Sequence, residues 1–472
     1  MRAAGAPVRA ADDRAMSAGD TPADPAAGDP TVASRGRPTS ARDEILRDGR
    51  LGGLEPEALA ERFGTPLYVY DLDAAERRVE ALRAELPRAM ELAYAVKANP
   101  ALAVVATFAR LGLGADVASG GELATARRAG VPMSRVVVTG PGKRDEELAG
   151  ALAAGVHAIT VESPAELDRL EWIASHLRLR APVLLRAATP TARGLERVRL
   201  VGDDGAGKFG MDAGDLADAA GRAARSSHID LLGLHAFGAS NVLDAAAIAN
   251  HVRSTVGAAA ALARRSGFPL RLVDVGGGLG IPYESKEQPL DLSALGRLLR
   301  DLAATWADDP LTRQTRVLLE PGRFLVGPTG AYLARVVDRK TVDGATVVIL
   351  DGGIHHLVRP ALVRQEHRIR SFGRDGSASA VSPVTIAGPL CSGLDVFGRN
   401  CELVPPAVGD LVGILDAGAY GYTESMPLFL SHPMPAEVGL RGGRAELLRP
   451  RVEPSEWLER QRDPAWDEAG LA

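Results

Sequence analysis

Cysteine is nearly absent from the 472 residues: only Cys391 and Cys401 occur. Two thiols cannot build a disulfide framework or a multi-cysteine zinc site, so a reducing, cytoplasmic setting is expected. Long apolar runs are missing too. No stretch reaches the ~18 uninterrupted apolar residues of a membrane span, and the opening MRAAGAPVRAADDRAMSAGD holds no signal-peptide core, so neither membrane insertion nor secretion is expected. Aromatic residues make up 4% and the formal charge is -5. Without a large positive field, sequence-independent binding to nucleic acid or anionic lipid is not expected, which leaves small molecules as ligands. What is present is a globular composition, 46% apolar and 24% charged, in a chain longer than one core usually needs.

Residues 1–40 are rich in Ala, Pro, Gly, Asp and Arg without periodicity and are expected to form a disordered extension. From Pro66 the texture changes. PLYVYD reads as a strand, AAERRVEALRAEL as an amphipathic helix and ELAYAVKANP as a second strand. The alternation continues through RVVVTG, HAITVES, PVLLRA, LLGLHAFG, RLVDVGGG and RVLLEPGR, with Ala-rich segments between them. Counted from LYVYD, about eight buried strands alternate with helices over ~260 residues, which predicts an α/β fold with a closed (β/α)8 barrel at 65–326. After Gly327, AYLARVVDRK, ATVVILD, VTIAGPL, DLVGILD and AELLRPR predict a C-terminal antiparallel β domain at 327–450. Residues 41–64 are a candidate addition to that domain, and 451–472 read as a tail.

In a barrel of this kind the strand C-termini build the site. Lys97, in YAVKANP, ends an apolar strand, where a lysine can be desolvated, lose its proton at modest cost and attack an aldehyde carbon. By position alone it reads first as a solvated cation. DVGGGLG, from Asp274 to Gly280, lets backbone N–H groups converge on an anion, though its spacing is not that of a dinucleotide fingerprint. EPGR, from Glu320 to Arg323, offers a carboxylate and a guanidinium able to make paired hydrogen bonds to phosphate. Each of these motifs alone is also an ordinary turn. Together they supply an amine for an aldehyde, donors for a phosphate and an anion for a ring nitrogen, the parts that pyridoxal 5'-phosphate requires. His355 and His356 in GGIHHLVRP diverge as neighbours and lack a ligand cluster, and His432 is uncommitted, so no metal is assigned.

In this order YAVKANP, GADVASGGEL, AGKFG, GLHAFGAS, DVGGGLG, EPGR, GPLCSGLDV and DAGAYGY resemble the pyridoxal-phosphate-dependent decarboxylases of the alanine-racemase-like barrel, which include diaminopimelate, ornithine and arginine decarboxylases. The resemblance runs from about Pro66 to Val438. The ending SHPMPAEV is similar to diaminopimelate decarboxylases and their biosynthetic-cluster relatives, among them enzymes acting on carrier-tethered substrates. The resemblance implies removal of the α-carboxylate from an amino-acid-like substrate. Lys97 would then be bonded to the cofactor aldehyde, Glu320 would face the pyridinium nitrogen, and Asp116 would sit beside the lysine. It implies Ser240, Gly277, Gly278, Arg323 and Tyr420 as phosphate ligands and places His235 and Phe237 at the cofactor. Cys391 becomes the thiol that crosses from the partner subunit of a homodimer to return a proton, and Arg359, Ser392 and Asp395 fall on the substrate side.

Three departures matter. Ser392 stands where the family carries an acidic residue for a substrate amine, and Phe237 replaces a ring-stacking histidine, with His235 two residues earlier. RPALV keeps Arg359 for a distal carboxylate but has Val363 in place of a tyrosine. These changes concentrate in substrate recognition. They predict a substrate other than free meso-diaminopimelate, such as a secondary-metabolite amino acid or a carrier-bound glutamyl-like group, with diaminopimelate decarboxylase of lysine biosynthesis as the runner-up. A racemase on the same barrel would need a second-face base, and a non-catalytic regulator would tend to lose the lysine or the phosphate ligands, which this chain keeps.

Overall fold

A computed structural model describes residues 45–188, 207–373 and 380–462. The expected extension at 1–40 and the part of the expected tail from residue 463 lie outside the described residues. A small hairpin, β1 (Leu46–Arg47) and β2 (Arg50–Leu51), precedes a helix at Pro56–Phe63 whose proline occupies the first turn, where the missing N–H is not needed. Then come β3 (Leu67–Asp71) and eight further strands: β4 (Met90–Ala95), β5 (Gly114–Val117), β6 (Val136–Val138), β7 (Ala158–Val161), β8 (Ala181–Arg186), β9 (Ile229–His235), β10 (Leu272–Asp274) and β11 (Arg316–Leu319). Strands β4 to β11 close a parallel barrel, with β11 returning to pair with β4.

The helices outside the barrel follow from the sequence. In Leu72–Glu85 the buried residues Leu72, Ala75, Val79 and Leu82 form one stripe, and Asp71 caps the N-terminus by accepting from Ala74 N at 2.9 Å. Ser119, Ser163, Asp212, Asp244 and Asp291 cap later helices in the same way, the two serines just where the chain leaves a strand and turns back. Leu72–Glu85 completes the ring beside Leu292–Asp308, with Ser293 Oγ donating to Glu85 Oε1 at 3.0 Å. Inside, Ala93, Val137, Ala158, Leu184, Leu232, Leu272 and Leu318, one from each of seven strands, form an apolar cluster separate from the helix-packed core.

The remaining strands are β12 (Gly330–Val342), β13 (Ala345–Leu350), β14 (Ile369–Phe372), β15 (Ser382–Ala387), β16 (Val396–Leu403), β17 (Leu411–Leu415), β18 (Ala436–Arg441) and β19 (Arg444–Arg449). They form a sheet in the order β16-β15-β13-β12-β3-β18-β19, with β17 pairing both β12 and β14. The hairpin turns at Asp343–Gly344 and Gly442–Gly443 have positive φ at both residues, the geometry that matches strand twist. The sheet is mostly antiparallel but mixed, because β13 with β15 and β3 with β18 run parallel.

One expectation needs correcting. LYVYD, counted as the first barrel strand, is β3 and lies in the middle of this second sheet, between β12 and β18. A short strand buried on both faces reads the same in either place; its tyrosines decide. Tyr68 Oη donates to His356 O and Tyr70 Oη to Glu437 Oε1, both at 2.7 Å, and both partners belong to the sheet side. Ile45, Leu51, Leu59 and Ala60 pack with Leu67, Leu333 and Val438, so the segment before β3 covers part of the same sheet. Among the described residues no helix is long and apolar enough to cross a membrane.

Candidate active site

Each barrel strand delivers a polar side chain at its C-terminal end. They are Lys97 after β4, Asp116 on β5, Thr139 after β6, Glu162 after β7, Arg186 on β8, His235 on β9, Asp274 on β10 and Glu320 after β11. All except Lys97 are buried. Above the apolar interior the barrel therefore carries a polar layer, which folding would not retain unless its members were paired or had a guest to bind.

Lys97 lies in a single helical turn, Val96–Ala98, and keeps 42% of its side chain accessible. Its Nζ donates to Asp116 Oδ2 at 2.8 Å, and Asp116 Oδ1 accepts from Thr139 Oγ1 at 2.6 Å. Burial of the amine opposes its charge, but Asp116, then Glu320 and Tyr420, outweigh that effect and raise the ammonium above its ordinary range. The expected low-cost loss of the proton is thus overturned: the neighbouring strand supplies a carboxylate that holds the lysine charged.

On the neighbouring arc of the ring, β9 to β11, stand His235, Asp274 and Glu320, the last beside the strand that leads to Lys97. Burial pushes Asp274 up to about 7 and Glu320 well above the carboxylate range, and each carboxyl feels the other. Two such groups in a dry site cannot both ionise, so the pair retains a proton. Burial, then Arg186 and Lys97, push His235 well below its usual value, so its imidazole is neutral. His235 Nε2 is 4.0 Å from Glu320 Oε2, too far for a hydrogen bond. Both His235 nitrogens and Glu320 Oε1 are buried without partners. One ligand atom from each of His235, Asp274 and Glu320 lies within 4.8 Å of the others, spacing that suits either a cation or a ring N–H.

The glycine run is shaped for close approach. A Cβ on Gly277 would lie 2.3 Å from Glu320 O, and one on Gly278, whose φ is +92°, would lie 2.5 Å from Ala239 O. No side chain can cover the backbone there. Val242 N donates to Gly278 O at 2.8 Å, joining the loop that carries Ser240 to the glycines, and a Cβ on Gly276 would meet the Phe237 ring at 2.7 Å. Arg323 is buried; Nη1 donates to Tyr283 Oη at 3.0 Å, Nε has no partner, and the guanidinium carbon is 4.6 Å from the Tyr420 ring centre. Tyr420 N donates to Ala98 O at 2.8 Å, which places that ring beside the turn of Lys97. The orphaned buried atoms and the bare glycine backbone fit an anionic aromatic cofactor with an aldehyde for Lys97.

The substrate-side residues are less uniform. Arg359 is buried 4.4 Å from the Tyr420 ring. Cys391 is exposed on the loop between β15 and β16. Ser392 is part of that turn, its Oγ accepting from Leu394 N at 3.2 Å. Asp395 is buried, and its two oxygens accept from Ile354 N and Leu390 N, both at 2.7 Å. His356 is held between Tyr332 Oη and Pro433 O, each at 2.9 Å. Sequence reasoning left Thr139, Asp274, the buried Arg186–Glu162 pair at 2.6 Å and Glu424 without roles. For the first four the signal was available: every one stands at or just past a strand end.

Residues 72–327 match the family described as pyridoxal-dependent decarboxylase, pyridoxal binding domain. The L-glutamyl-[BtrI acyl-carrier protein] decarboxylase of Niallia circulans is 34% identical, covering 84% of this chain and 93% of its own. The diaminopimelate decarboxylase of Aquifex aeolicus is 32% identical, covering 87% and 96%. The crystal structure of diaminopimelate decarboxylase from M. jannaschii is similar with a TM-score of 0.81 and 28% identity, covering 90% of this chain and 99% of that one.

Proposed function

Since the chain belongs to the pyridoxal-dependent decarboxylase family and is a carboxy-lyase of the diaminopimelate-decarboxylase-like kind, we propose that it removes the α-carboxylate of an amino acid presented as an acyl group on a carrier protein. The observation that carries this reading is the single polar ring that holds the Lys97–Asp116 pair together with the Asp274, Glu320 and His235 cluster. The carrier-bound substrate draws support from the N. circulans relative and from the changed residues Ser392 and Val363.

Pyridoxal 5'-phosphate, when bound, supplies a sink for the electron pair left as the Cα–carboxylate bond breaks. Lys97 would hold the aldehyde end, with Asp116 fixing the direction of its Nζ. Gly277, Gly278, Ser240, Arg323 and Tyr420 would hold the phosphate, and Glu320, backed by Asp274, would face the ring nitrogen. His235 and Phe237 would border the ring, where a neutral imidazole adds no competing charge. Cys391 of the partner subunit, in a homodimer with shared sites, would return a proton to Cα, so that hydrogen replaces the departing carboxylate.

The test is to offer purified holoenzyme a glutamyl-loaded carrier protein, free L-glutamate and meso-diaminopimelate, and to measure CO2 together with product mass. CO2 from the loaded carrier is expected. Release from meso-diaminopimelate near ~10 per second would sink the carrier reading in favour of diaminopimelate decarboxylase, and racemisation without CO2 would sink both.

A further inference from the structure

We infer that Glu424 is a specificity determinant: paired with Arg359, it neutralises that guanidinium, so the site accepts an uncharged acyl end and resists a free distal carboxylate. This rests on the decarboxylase reading and deepens it.

Arg359 opens a short helix, Arg359–Val363, and is buried. Its guanidinium lies against Tyr420, as does that of Arg323, and Tyr420 is hydrogen-bonded to the turn of Lys97. Arg359 therefore packs on the ring of a residue whose backbone is tied to the turn of Lys97 and whose hydroxyl acts on the charge of that lysine. Two of its three nitrogens donate hydrogen bonds, and Nε has none although a carboxylate lies beside it. Nε is 2.8 Å from Glu424 Oε2, Nη2 donates to Glu424 Oε1 at 3.1 Å, and Nη1 donates to Gln365 Oε1 at 3.4 Å. Glu424 thus lies along the Nε–Nη2 edge of the guanidinium, held by one hydrogen bond, on the edge an incoming carboxylate would use.

Glu424 is held in place. Ser425 Oγ donates to Gly421 O at 2.6 Å and accepts from Val358 N at 3.1 Å, tying the loop that carries Glu424 to the residue before Arg359. A diacid would have to expel Glu424 from a buried arginine, leaving one carboxylate without its partner. An ester, thioester or amide brings no charge to compensate.

The test compares holoenzymes of the wild type, Glu424→Gln and the double variant Glu424→Gln/Arg359→Gln, with free L-glutamate and its neutral analogue γ-glutamyl ethylamide. The wild type is expected to favour the amide in kcat/KM by about tenfold or more. Glu424→Gln should raise kcat/KM for free glutamate about tenfold while changing the amide little, and the double variant should lose that gain. Glutarate binding, measured by calorimetry, reads the same site without turnover: Glu424→Gln should tighten it and the double variant should abolish the tightening. Equal glutarate affinity in wild type and Glu424→Gln, or a wild-type preference for free glutamate, overturns the inference. If glutarate binding shifts as expected but neither substrate releases CO2, the proposed reaction falls and the role of Glu424 stands.

Discussion

Asp116 is the foremost of the groups that raise the Lys97 ammonium, and the consequence is measurable. Removing the carboxylate in Asp116→Asn removes the nearest cause of the raised lysine, so its ammonium should lose a proton at lower pH. The rate at which cofactor-free protein takes up pyridoxal phosphate, followed by absorbance, should then reach its midpoint at a lower pH than in the wild type. An unmoved midpoint would mean that Asp116 does not control the amine. Asp274 gives a second test. Its folded value, about 7, is above the ordinary ~3.9, so its contribution to stability is fully present below pH ~4 and is lost as pH rises through about 7. Urea unfolding of the cofactor-free wild type should therefore weaken across that window relative to Asp274→Asn, by up to ~1.4 kcal/mol per pH unit. Parallel pH dependences would refute the assignment. At this scale the sequence made Lys97, Glu320 and Arg323 readable, because each sits in a motif that ends a strand. It misled on the ease of deprotonating Lys97 and did not show how Asp395 is held. Spacing in GPLCSGLD does not reveal that two backbone amides take both Asp395 oxygens, and a single strand does not reveal the carboxylate on its neighbour.

Helices were legible where apolar residues recur on one face and a Ser or Asp precedes them, as in Leu72–Glu85. The strands were legible as strands but not by partner. Five buried residues such as LYVYD carry no record of whether they face a barrel or a sheet, since both environments are dry on two sides. The loop elements carry the sharper expectation. Gly278→Ala combines a positive φ with a Cβ 2.5 Å from Ala239 O, so it should destabilise by about 1–3 kcal/mol and weaken pyridoxal phosphate binding about tenfold in titration. Gly257→Ala, with nothing within 4 Å and in a helix interior, should instead stabilise by about 0.5–1 kcal/mol in thermal or urea unfolding. Similar cofactor affinity in Gly278→Ala and wild type would show that the glycine run is only a turn.

At the scale of the whole molecule, the exposed position of Cys391 bears on assembly. If the partner's Cys391 completes each site, Lys97→Ala and Cys391→Ala proteins, each weak alone, should recover activity when unfolded together and refolded as a mixture. Half the dimers would then be mixed, with one intact site of two, giving about a quarter of wild-type CO2 release. No recovery would separate the thiol from the neighbouring subunit. The two layers of the fold were visible in the shift of texture after Gly327; what the sequence hid was how they are stitched.

That stitching lies in β3, which is translated before the barrel yet hydrogen-bonds to β12 and β18, translated after it. The barrel is thus an insertion between one strand and the rest of its sheet. On the ribosome β3 must wait, its edges unpaired, until the barrel has been made and the last strands emerge. A ribosome that stalls within the second sheet would release a barrel whose neighbouring sheet is open at the centre, a template for pairing with another chain.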